Sequence, residues 1–207
     1  MLSRRVITRS GRHFRGRYPS RKLGRMVAFE SLIERDVILL LEFSRGVQSY
    51  QEQPARIVYS DGQTVREYFP DFEARLVSGQ QVHIEVKPSA RLASPKVAKK
   101  LQQIAAHYAQ HRDEHFRVVT ELEARKEPLH TNLTTLSPLR AKPAAALQLL
   151  SQHLHGIPWH TLEASIGRDV LLKQVALGNL VCDLASPLQG DLMVFTAEEA
   201  AHDSLYL

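Results

Sequence analysis

The sequence predicts a mixed α/β protein with a basic N-terminal arm and a second, mainly helical domain. In residues 29–137, an apolar helical run precedes several short β-type runs, another helical run and a last strand. After residue 137, three helical stretches precede a β-hairpin. Residues 1–28 are rich in Gly, Pro and Arg and lack apolar periodicity, so we predict a flexible arm there, followed by domains over residues 29–137 and 138–207.

The α/β domain is predicted to contain two helices and five strands. The first helix is mostly apolar in its second half, and Gly46 follows its end. Ser-Asp-Gly at 60–62 and Ser-Gly at 78–79 are turn signals between the β-type runs. Pro95 is typical of the first turn of a helix. The predicted helices are residues 30–43 and 95–110, and the predicted strands are residues 55–59, 65–72, 74–77, 82–87 and 116–121.

The C-terminal domain has the element order of a winged helix. The predicted helices are residues 139–153, 158–166 and 168–177, and the hairpin strands are residues 180–184 and 192–195. Winged helices usually bind DNA, but residues 138–207 hold four basic and seven acidic side chains, so we expect a protein-docking module. Direct DNA contact through Arg168 and Lys173 and a purely stabilising role are the alternatives.

Basic charge is concentrated at the N-terminus. The 207 residues include 27 Lys or Arg and 22 Asp or Glu, which gives a formal net charge of +5. Residues 1–29 contain nine of the basic residues and no acidic one, so the rest of the chain is mildly acidic. This distribution excludes a uniformly basic, histone-type protein and indicates a local contact with a polyanion.

The composition excludes several protein classes. No apolar run approaches the roughly 18 residues that span a membrane, and the N-terminus lacks the apolar segment of a secretory signal. Cys182 is the single cysteine, which excludes an internal disulfide framework and a thiolate zinc cluster. The motifs GxxxxGK(S/T), CxxC and HExxH are absent from the sequence. We therefore expect a cytoplasmic, bacterial protein with no membrane partner.

The sharpest candidate for chemistry lies among the β-type runs. Asp71 is at or near a strand end in Phe-Pro-Asp-Phe, and Glu85 and Lys87 follow across a turn in Ile-Glu-Val-Lys. Residues two apart on a strand share a face, so Glu85 and Lys87 point together. A hairpin-type connection can place Asp71 beside Glu85, which creates a site of two carboxylates and one ammonium. Salt-bridged strand charges are the alternative interpretation.

Glu34 supplies a third candidate carboxylate. On the first helix it shares a face with Val37, Ile38 and Leu41, and a carboxylate on an apolar stripe needs a partner. Carboxylate oxygens bind Mg²⁺, which takes phosphate oxygens as further ligands and lowers the pKa of an attacking water. A neighbouring lysine orients that water or stabilises developing negative charge. The set therefore suits metal-dependent phosphodiester hydrolysis.

These residues resemble a known nuclease pattern and one family in particular. Glu34, Asp71 and Glu-Val-Lys at 85–87 resemble the PD-(D/E)xK pattern, to which Pro70 and Asp71 give the first two letters. Residues 29–43, 47–57 and 68–92 resemble the TnsA family, the endonuclease subunit of heteromeric transposases. Glu-Gln-Pro at 52–54 and Val-Lys-Pro at 86–88 are the family-specific elements, and residues 116–123 resemble the strand that follows.

The resemblance implies an α/β, PD-(D/E)xK restriction-endonuclease-like core, followed here by the C-terminal winged-helix-like domain. It implies that Glu34, Asp71 and Glu85 are metal ligands and that Lys87 is the catalytic lysine. The implied cofactor is Mg²⁺, for which Mn²⁺ can substitute. The implied reaction is cleavage of the 5′ ends of a transposon in cut-and-paste transposition, with DNA, a DDE-type transposase subunit and an AAA+ regulator as partners. Association with a CRISPR effector stays open.

DNA contacts are predicted in two basic segments, the arm and the first turns of the second helix. The predicted residues are Arg12, Arg15, Arg17, Arg21, Lys22, Arg25, Lys96, Lys99 and Lys100. The arm is expected to become ordered on DNA. Two other functions stay open at this point: a non-catalytic DNA-binding or assembly module on a nuclease fold, and a stand-alone nuclease of restriction or repair type.

Overall fold

The computed structural model describes residues 14–54, 56–60, 63–110, 114–141, 156–198 and 204–206. The chain divides into two compact units. Unit 1 comprises Met1–Ala124 and Asp203–Leu207, and unit 2 comprises Arg125–His202. In the parts of the chain that are described, no helix is long and apolar enough to cross a membrane.

Unit 1 is a mixed α/β unit, as the sequence predicts. Its strands are β1 (Gly16–Ser20), β2 (Arg25–Phe29), β3 (Val47–Glu52), β4 (Ile57–Ser60), β5 (Val65–Tyr68), β6 (Phe72–Leu76), β7 (Gln81–Val86) and β8 (Glu114–Val119). Its helices are α1 (Leu32–Phe43), α2 (Ser89–Leu92), α3 (Pro95–Tyr108) and α4 (Glu121–Ala124).

The central element of unit 1 is a four-stranded sheet with strand order β3-β6-β7-β8. β3 pairs antiparallel with β6, β6 pairs antiparallel with β7, and β7 pairs parallel with β8. The parallel pairing requires a crossover, which α2 and α3 provide. β4 and β5 form a separate two-stranded sheet.

The two long helices of unit 1 are buried to different extents. α1 is buried along its whole second half, from Asp36 to Phe43, and packs against β3 and β7. α3 is amphipathic and buries Leu101, Ile104 and Tyr108, whose spacing of three and four places them on one face. This face packs against β4 and β8. The opposite face of α3 is exposed.

Residues 16–29 correct the prediction of an irregular arm over residues 1–28. They form the antiparallel β1–β2 hairpin, in which Tyr18, Val27 and Phe29 are buried. Lys22 Nζ donates to the carbonyl oxygens of Leu41, Ser44 and Val47 at 2.9, 2.6 and 2.6 Å. The carbonyl groups at a helix C-terminus lack intrahelical partners, so this lysine stabilises the end of α1.

The predicted strand 65–72 is two strands. β5 ends at Tyr68 and β6 begins at Phe72, because Pro70 between them has no N–H group for a sheet ladder. β3 has no counterpart among the strands that the sequence predicts. α1, α3, β4, β7 and β8 lie within a few residues of their predicted positions, whereas α2 and α4 have no predicted counterpart.

A short segment near the end of the sequence belongs to unit 1. Gly46 N donates a 2.9 Å hydrogen bond to the Ser204 carbonyl oxygen, and Tyr206 N donates a 2.9 Å hydrogen bond to Ser44 Oγ. These contacts attach residues 204–206 to the loop between α1 and β3. Unit 2 is therefore flanked on both sides by sequence that belongs to unit 1.

Unit 2 contains helices and a small sheet. Its described elements are α5 (Leu129–Leu136), a 3₁₀ turn (Ser137–Ala141), β9 (Ile157–Pro158), α6 (Trp159–Ile166), α7 (Arg168–Leu177), β10 (Leu180–Val181) and β11 (Met193–Thr196). The three strands form one sheet in the order β10-β11-β9. Trp159, Leu171, Leu180 and Val194 are fully buried.

The boundary of unit 2 corrects the predicted domain division at residue 138. The division falls after Ala124, because α5 and the following turn pack against α7. Residues 142–155, which make up most of the predicted helix 139–153, lie outside the described residues. The predicted helices 158–166 and 168–177 correspond to α6 and α7.

Candidate active site

Asp71 and Glu85 lie at the same end of β6 and β7. Asp71 immediately precedes β6, and Glu85 is the penultimate residue of β7. The register pairs Phe72 with Ile84, so the next residue outward on each strand, Asp71 or Glu85, lies on the opposite face. The predicted pairing of these two carboxylates therefore follows directly from the register of the sheet.

Backbone groups on two sides fix Asp71. Its Oδ2 accepts a 2.7 Å hydrogen bond from Val86 N, and its carbonyl oxygen accepts a 2.9 Å hydrogen bond from Gln53 N. Gln53 is buried and has a φ of 42°, a left-handed conformation that residues with a Cβ atom rarely adopt. A strained residue thus supports the backbone of Asp71 from the end of β3.

Lys87 lies between the two carboxylates. Its Nζ is 2.5 Å from Glu85 Oε1 and 3.8 Å from Asp71 Oδ2, and it donates a 3.2 Å hydrogen bond to the Val86 carbonyl oxygen. Burial opposes the charge of Lys87, but the Asp71 and Glu85 carboxylates outweigh burial and raise the pKa of Lys87. The ammonium therefore stays charged and partly neutralises the pair.

The other oxygen of Glu85 is bound by a tyrosine. Tyr68 OH donates a 2.6 Å hydrogen bond to Glu85 Oε2, and both side chains are buried. Burial, and after it the charge of Glu85, raises the pKa of Tyr68 far above its ordinary value. The hydroxyl group is consequently a permanent donor to Glu85.

Asp71 is the carboxylate whose charge is least well compensated. Burial is the main cause that raises the pKa of Asp71 to about 7, and the charges of Glu85 and Glu34 raise it further against the effect of Lys87. One ammonium therefore does not offset this group of carboxylates. A second cation at this position would favour the ionised form of Asp71.

Glu34 occupies the first turn of α1, where it forms a capping box. Ser31 Oγ accepts a 3.1 Å hydrogen bond from Glu34 N and donates a 3.0 Å hydrogen bond to Glu34 Oε1. Glu34 Oε2 accepts a 2.8 Å hydrogen bond from Glu30 N. Burial raises the pKa of Glu34. Helix capping thus explains this carboxylate without a metal, and its influence on the pKa values of Asp71 and Lys87 relates it electrostatically to the site.

The donor set is compatible with Mg²⁺. Asp71, Glu85 and Glu34 supply carboxylate oxygens, which Mg²⁺ prefers, and the charge repulsion at Asp71 would be relieved by a divalent cation. The described residues contain no group of three or more His, Cys, Asp or Glu side chains arranged to hold a metal ion. The residues brought together are Asp71 and Glu85 around Lys87, and the role of Glu34 as a third ligand stays a prediction.

The basic residues of α3 lie on its exposed face. Lys96, Lys99 and Lys100 are all exposed, in the first two turns of the helix. Lys100 Nζ lies 5.4 Å from the centre of the Tyr68 ring, so this basic face is close to the tyrosine that binds Glu85. DNA contact by these three lysines stays a prediction.

Several of the basic residues predicted to bind DNA make contacts within unit 1. Lys22 caps α1, as described, and Arg25 forms a double hydrogen bond with buried Glu52 at 2.7 and 2.6 Å. Arg15 lies 3.8 Å from Glu30. Among the other predicted DNA contacts, Arg17 and Arg21 are exposed, and Arg12 lies outside the described residues.

Three residues of this site were not identified from the sequence. Ser31 could have been found, because Ser-x-x-Glu at 31–34 is the signature of a capping box. Tyr68 and Gln53 could not, because their contacts depend on how β5 and β3 return to the strand end. His83, two residues before Glu85 on β7, has its Nε2 3.2 Å from Glu73 Oε2.

The fold and the strand-end cluster define a class of protein. A mixed sheet that presents two carboxylates and a lysine at one end is suited to phosphodiester hydrolysis, and unit 1 is accordingly a nuclease-like α/β domain. Residues 44–121 match the sequence profile of the TnsA-like endonuclease N-terminal domain. This match confirms the resemblance to the TnsA-like family over residues 44–121.

The matched segment contains Asp71, Glu85 and Lys87 and begins after α1, so Glu34 lies outside it. It also contains β3 to β8, the complete four-stranded sheet. No curated protein matches the chain significantly.

Proposed function

We propose that the chain is the Mg²⁺-dependent endonuclease subunit of a heteromeric transposase and cleaves the 5′ ends of the transposon. The observation that carries the proposal is the cluster of Asp71, Glu85 and Lys87 inside the segment that matches the TnsA-like endonuclease domain. The under-compensated charge at Asp71 supports the binding of a divalent cation there.

The proposed roles follow from the chemistry of each side chain. Asp71 and Glu85, with Glu34 as the third carboxylate, would hold Mg²⁺ through their oxygens. When bound there, the ion would polarise the phosphodiester and lower the pKa of the attacking water. Lys87 keeps its proton and offers N–H donors beside the carboxylates, where it stabilises negative charge that develops on the phosphate.

The DNA substrate is proposed to approach over α3. Lys96, Lys99 and Lys100 supply exposed positive charge beside the site, and Arg17 and Arg21 supply it on the β1–β2 hairpin. Phosphate contacts of this kind position a duplex and weaken with salt. Lys22 and Arg25 are left out of this surface, because their charged groups bind within unit 1.

Unit 2 is proposed to be a winged-helix-like module that docks onto a protein partner. Its described elements run helix, strand, helix, helix, strand, strand, and the three strands share one sheet, as in a winged helix. Lys173 Nζ donates to the Leu139 carbonyl oxygen, and Arg168 pairs with Glu163 at 3.2 Å. Because both cations of α7 have partners inside the unit, we favour a DDE-type transposase subunit or an AAA+ regulator over DNA as its partner.

The decisive experiment uses the assembled system. The full chain, its candidate DDE-type transposase partner, transposon-end DNA and Mg²⁺ are combined, and cleavage of each strand is measured separately. We expect Asp71→Ala to reduce 5′ cleavage by at least about 100-fold, while the partner's processing of the 3′ ends continues. Glu67→Ala, which removes an exposed carboxylate of β5, is the matched control and should cleave normally.

Other outcomes would favour the alternative functions. Full 5′ cleavage by Asp71→Ala would contradict the proposed active site and favour a non-catalytic assembly module. Cleavage of arbitrary DNA by the wild-type chain alone would favour a stand-alone nuclease. Weak activity of the isolated chain agrees with the proposal, because a transposase subunit is expected to act after assembly.

A further inference from the structure

We propose that Tyr68 is a positioning residue that orients the Glu85 carboxylate for cation binding; this inference rests on the proposed function. Tyr68 OH lies 2.6 Å from Glu85 Oε2, while Lys87 Nζ lies 2.5 Å from Glu85 Oε1. The two oxygens of one carboxylate therefore have different partners. Tyr68 is absent from the Asp-Glu-x-Lys pattern, and its hydroxyl group is the contact that distinguishes these oxygens.

The orientation that Tyr68 imposes directs one oxygen toward Asp71. Lys87 is the shared neighbour of Glu85 Oε1 and Asp71 Oδ2, so these two oxygens face the same ammonium. Because the tyrosine hydroxyl holds Oε2, Oε1 is the oxygen that stays on the Asp71 side. A carboxylate that rotates freely presents either oxygen to a cation. Binding must then fix its orientation, and the entropy cost of doing so lowers the affinity for the cation.

Tyr68 itself is held rigidly by aromatic packing. The ring is 2% exposed and contacts Phe116 edge to face, with ring centres 6.0 Å apart at 84°. It belongs to a buried cluster with Tyr59, Ile104 and Tyr108. The position of the hydroxyl group is thus set by the packing of β4–β5 against α3, elements that carry none of the predicted catalytic residues.

The same cluster offers a matched control. The Tyr108 hydroxyl is buried and has no hydrogen-bond partner among the described residues. Tyr108→Phe therefore removes the same atom from the same cluster as Tyr68→Phe, without a contact to Glu85. Any difference between the two variants reports the hydrogen bond rather than the packing.

The first experiment measures cation binding by the full chain. Mn²⁺ binding is followed by electron paramagnetic resonance and calorimetry, and folding is followed by thermal melting. We expect Tyr68→Phe to weaken Mn²⁺ affinity about 10- to 100-fold, as loss of an outer hydrogen bond to a ligand does, while Tyr108→Phe binds as the wild type does. In the assembled reaction, Tyr68→Phe should need more Mg²⁺ for half-maximal 5′ cleavage and should recover most of its rate at saturating Mg²⁺.

A second measurement does not depend on the folding of a variant. In wild-type chain labelled with ¹³C at tyrosine Cζ, Mg²⁺ should shift the resonance of Tyr68 and leave that of Tyr108 unchanged. An unshifted Tyr68 resonance in a chain that binds Mg²⁺ would overturn the inference. So would equal Mn²⁺ affinity in Tyr68→Phe and wild type, or an equal loss in both variants.

The outcomes separate this inference from the proposed function. If the wild-type chain binds the ion and Asp71→Ala abolishes 5′ cleavage while Tyr68→Phe changes nothing, the inference about Tyr68 fails and the proposed function stands. If Asp71→Ala cleaves normally and the wild-type chain binds no Mn²⁺, the proposed function fails and the inference about Tyr68 fails with it.

Discussion

Among the carboxylates of unit 1, Glu42 and the pair of Asp71 and Glu85 differ in how their charge is compensated. Glu42, at the end of α1, accepts hydrogen bonds from Ser20 Oγ, Arg21 N, Lys22 N and Tyr50 OH at 2.7 to 2.8 Å. At the strand end, the two carboxylates of Asp71 and Glu85 share one ammonium, and the pKa of Asp71 is raised to about 7.

The difference distinguishes a structural carboxylate from a functional one. A buried carboxylate that accepts a full set of donors stabilises the fold and has no lone pair left for a ligand. Two carboxylates whose repulsion is only partly offset destabilise the folded state, and binding of a cation between them removes that destabilisation. The predictions below test this contrast, beginning with the largest effect.

Glu42→Gln should be the most destabilising of these substitutions. The amide keeps one acceptor but turns an NH₂ group toward donors, so buried N–H and O–H groups lose their partner. We expect a loss of about 3–5 kcal/mol in the free energy of unfolding, measured by urea denaturation. Glu67→Gln, on the surface, should change it by less than about 0.5 kcal/mol. Equal effects at both positions would contradict the structural role of Glu42.

Asp71→Asn should stabilise the metal-free chain, in contrast to Glu42→Gln, which should destabilise it. The pKa of Asp71 is about 7 in the folded chain and about 4 in the unfolded chain, so the folded state holds the proton more tightly. The metal-free wild type should therefore lose stability as the pH rises from about 4 to about 7. At pH 8 the variant, which has no such charge, should be more stable by up to a few kcal/mol.

Thermal melting at several pH values checks the prediction for Asp71. The wild-type melting temperature should fall across this pH range when metal is chelated, and Asp71→Asn should show a flatter profile. Addition of Mg²⁺ at pH 8 should raise the melting temperature of the wild type and not that of Asp71→Asn. If the variant melts below the wild type at pH 8, the charge of Asp71 does not destabilise the metal-free fold, and the prediction is wrong.

The lysines of the two basic segments also differ, since Lys22 contacts the fold and Lys99 is exposed. Lys22→Met removes three contacts to carbonyl oxygens and should cost about 1.5–3 kcal/mol of stability. Lys99→Met should leave stability within about 0.5 kcal/mol, but it should weaken DNA binding and reduce the slope of log K against log salt by about 0.9. Urea denaturation measures the effect on stability, and salt titrations of DNA binding measure the effect on affinity. A loss of DNA binding in Lys22→Met, or of stability in Lys99→Met, would contradict the proposed roles of the two lysines.

Tyr108→Phe should give a small gain in stability. The hydroxyl group that it removes is buried without a partner in the described part of the chain, so the variant escapes a desolvation cost. We expect a gain of less than about 1 kcal/mol, measured by urea denaturation. A loss of more than 1 kcal/mol would indicate that this hydroxyl group has a polar contact in solution.

The sequence predicts the parts of the fold that depend on local signals. Pro95 and Gly178 mark the start of α3 and the end of α7, and alternating residues around Glu85 predict β7 and its shared face with Lys87. Because hairpin geometry limits the pairing of β6 with β7, the neighbourhood of Asp71 and Glu85 follows from the turn between them.

The parts that the sequence does not predict depend on distant partners. The hairpin of residues 16–29 is stabilised by groups about 20 residues away in α1, which composition alone does not reveal. The contact of Tyr68 with Glu85 spans 17 residues and requires the β4–β5 sheet to fold back. Glu34 is different, since its capping box is local and its apolar neighbours suggested a metal instead.

The attachment of residues 204–206 to unit 1 makes unit 2 an insertion. The chain leaves unit 1 after Ala124 and returns to it at Asp203, so unit 2 is anchored by two covalent connections. A fragment that ends at Ala124 would lack the groups that bind Ser44 and Gly46. A partner that pulls on unit 2 would load both connections, and the force would be transmitted to the loop between α1 and β3.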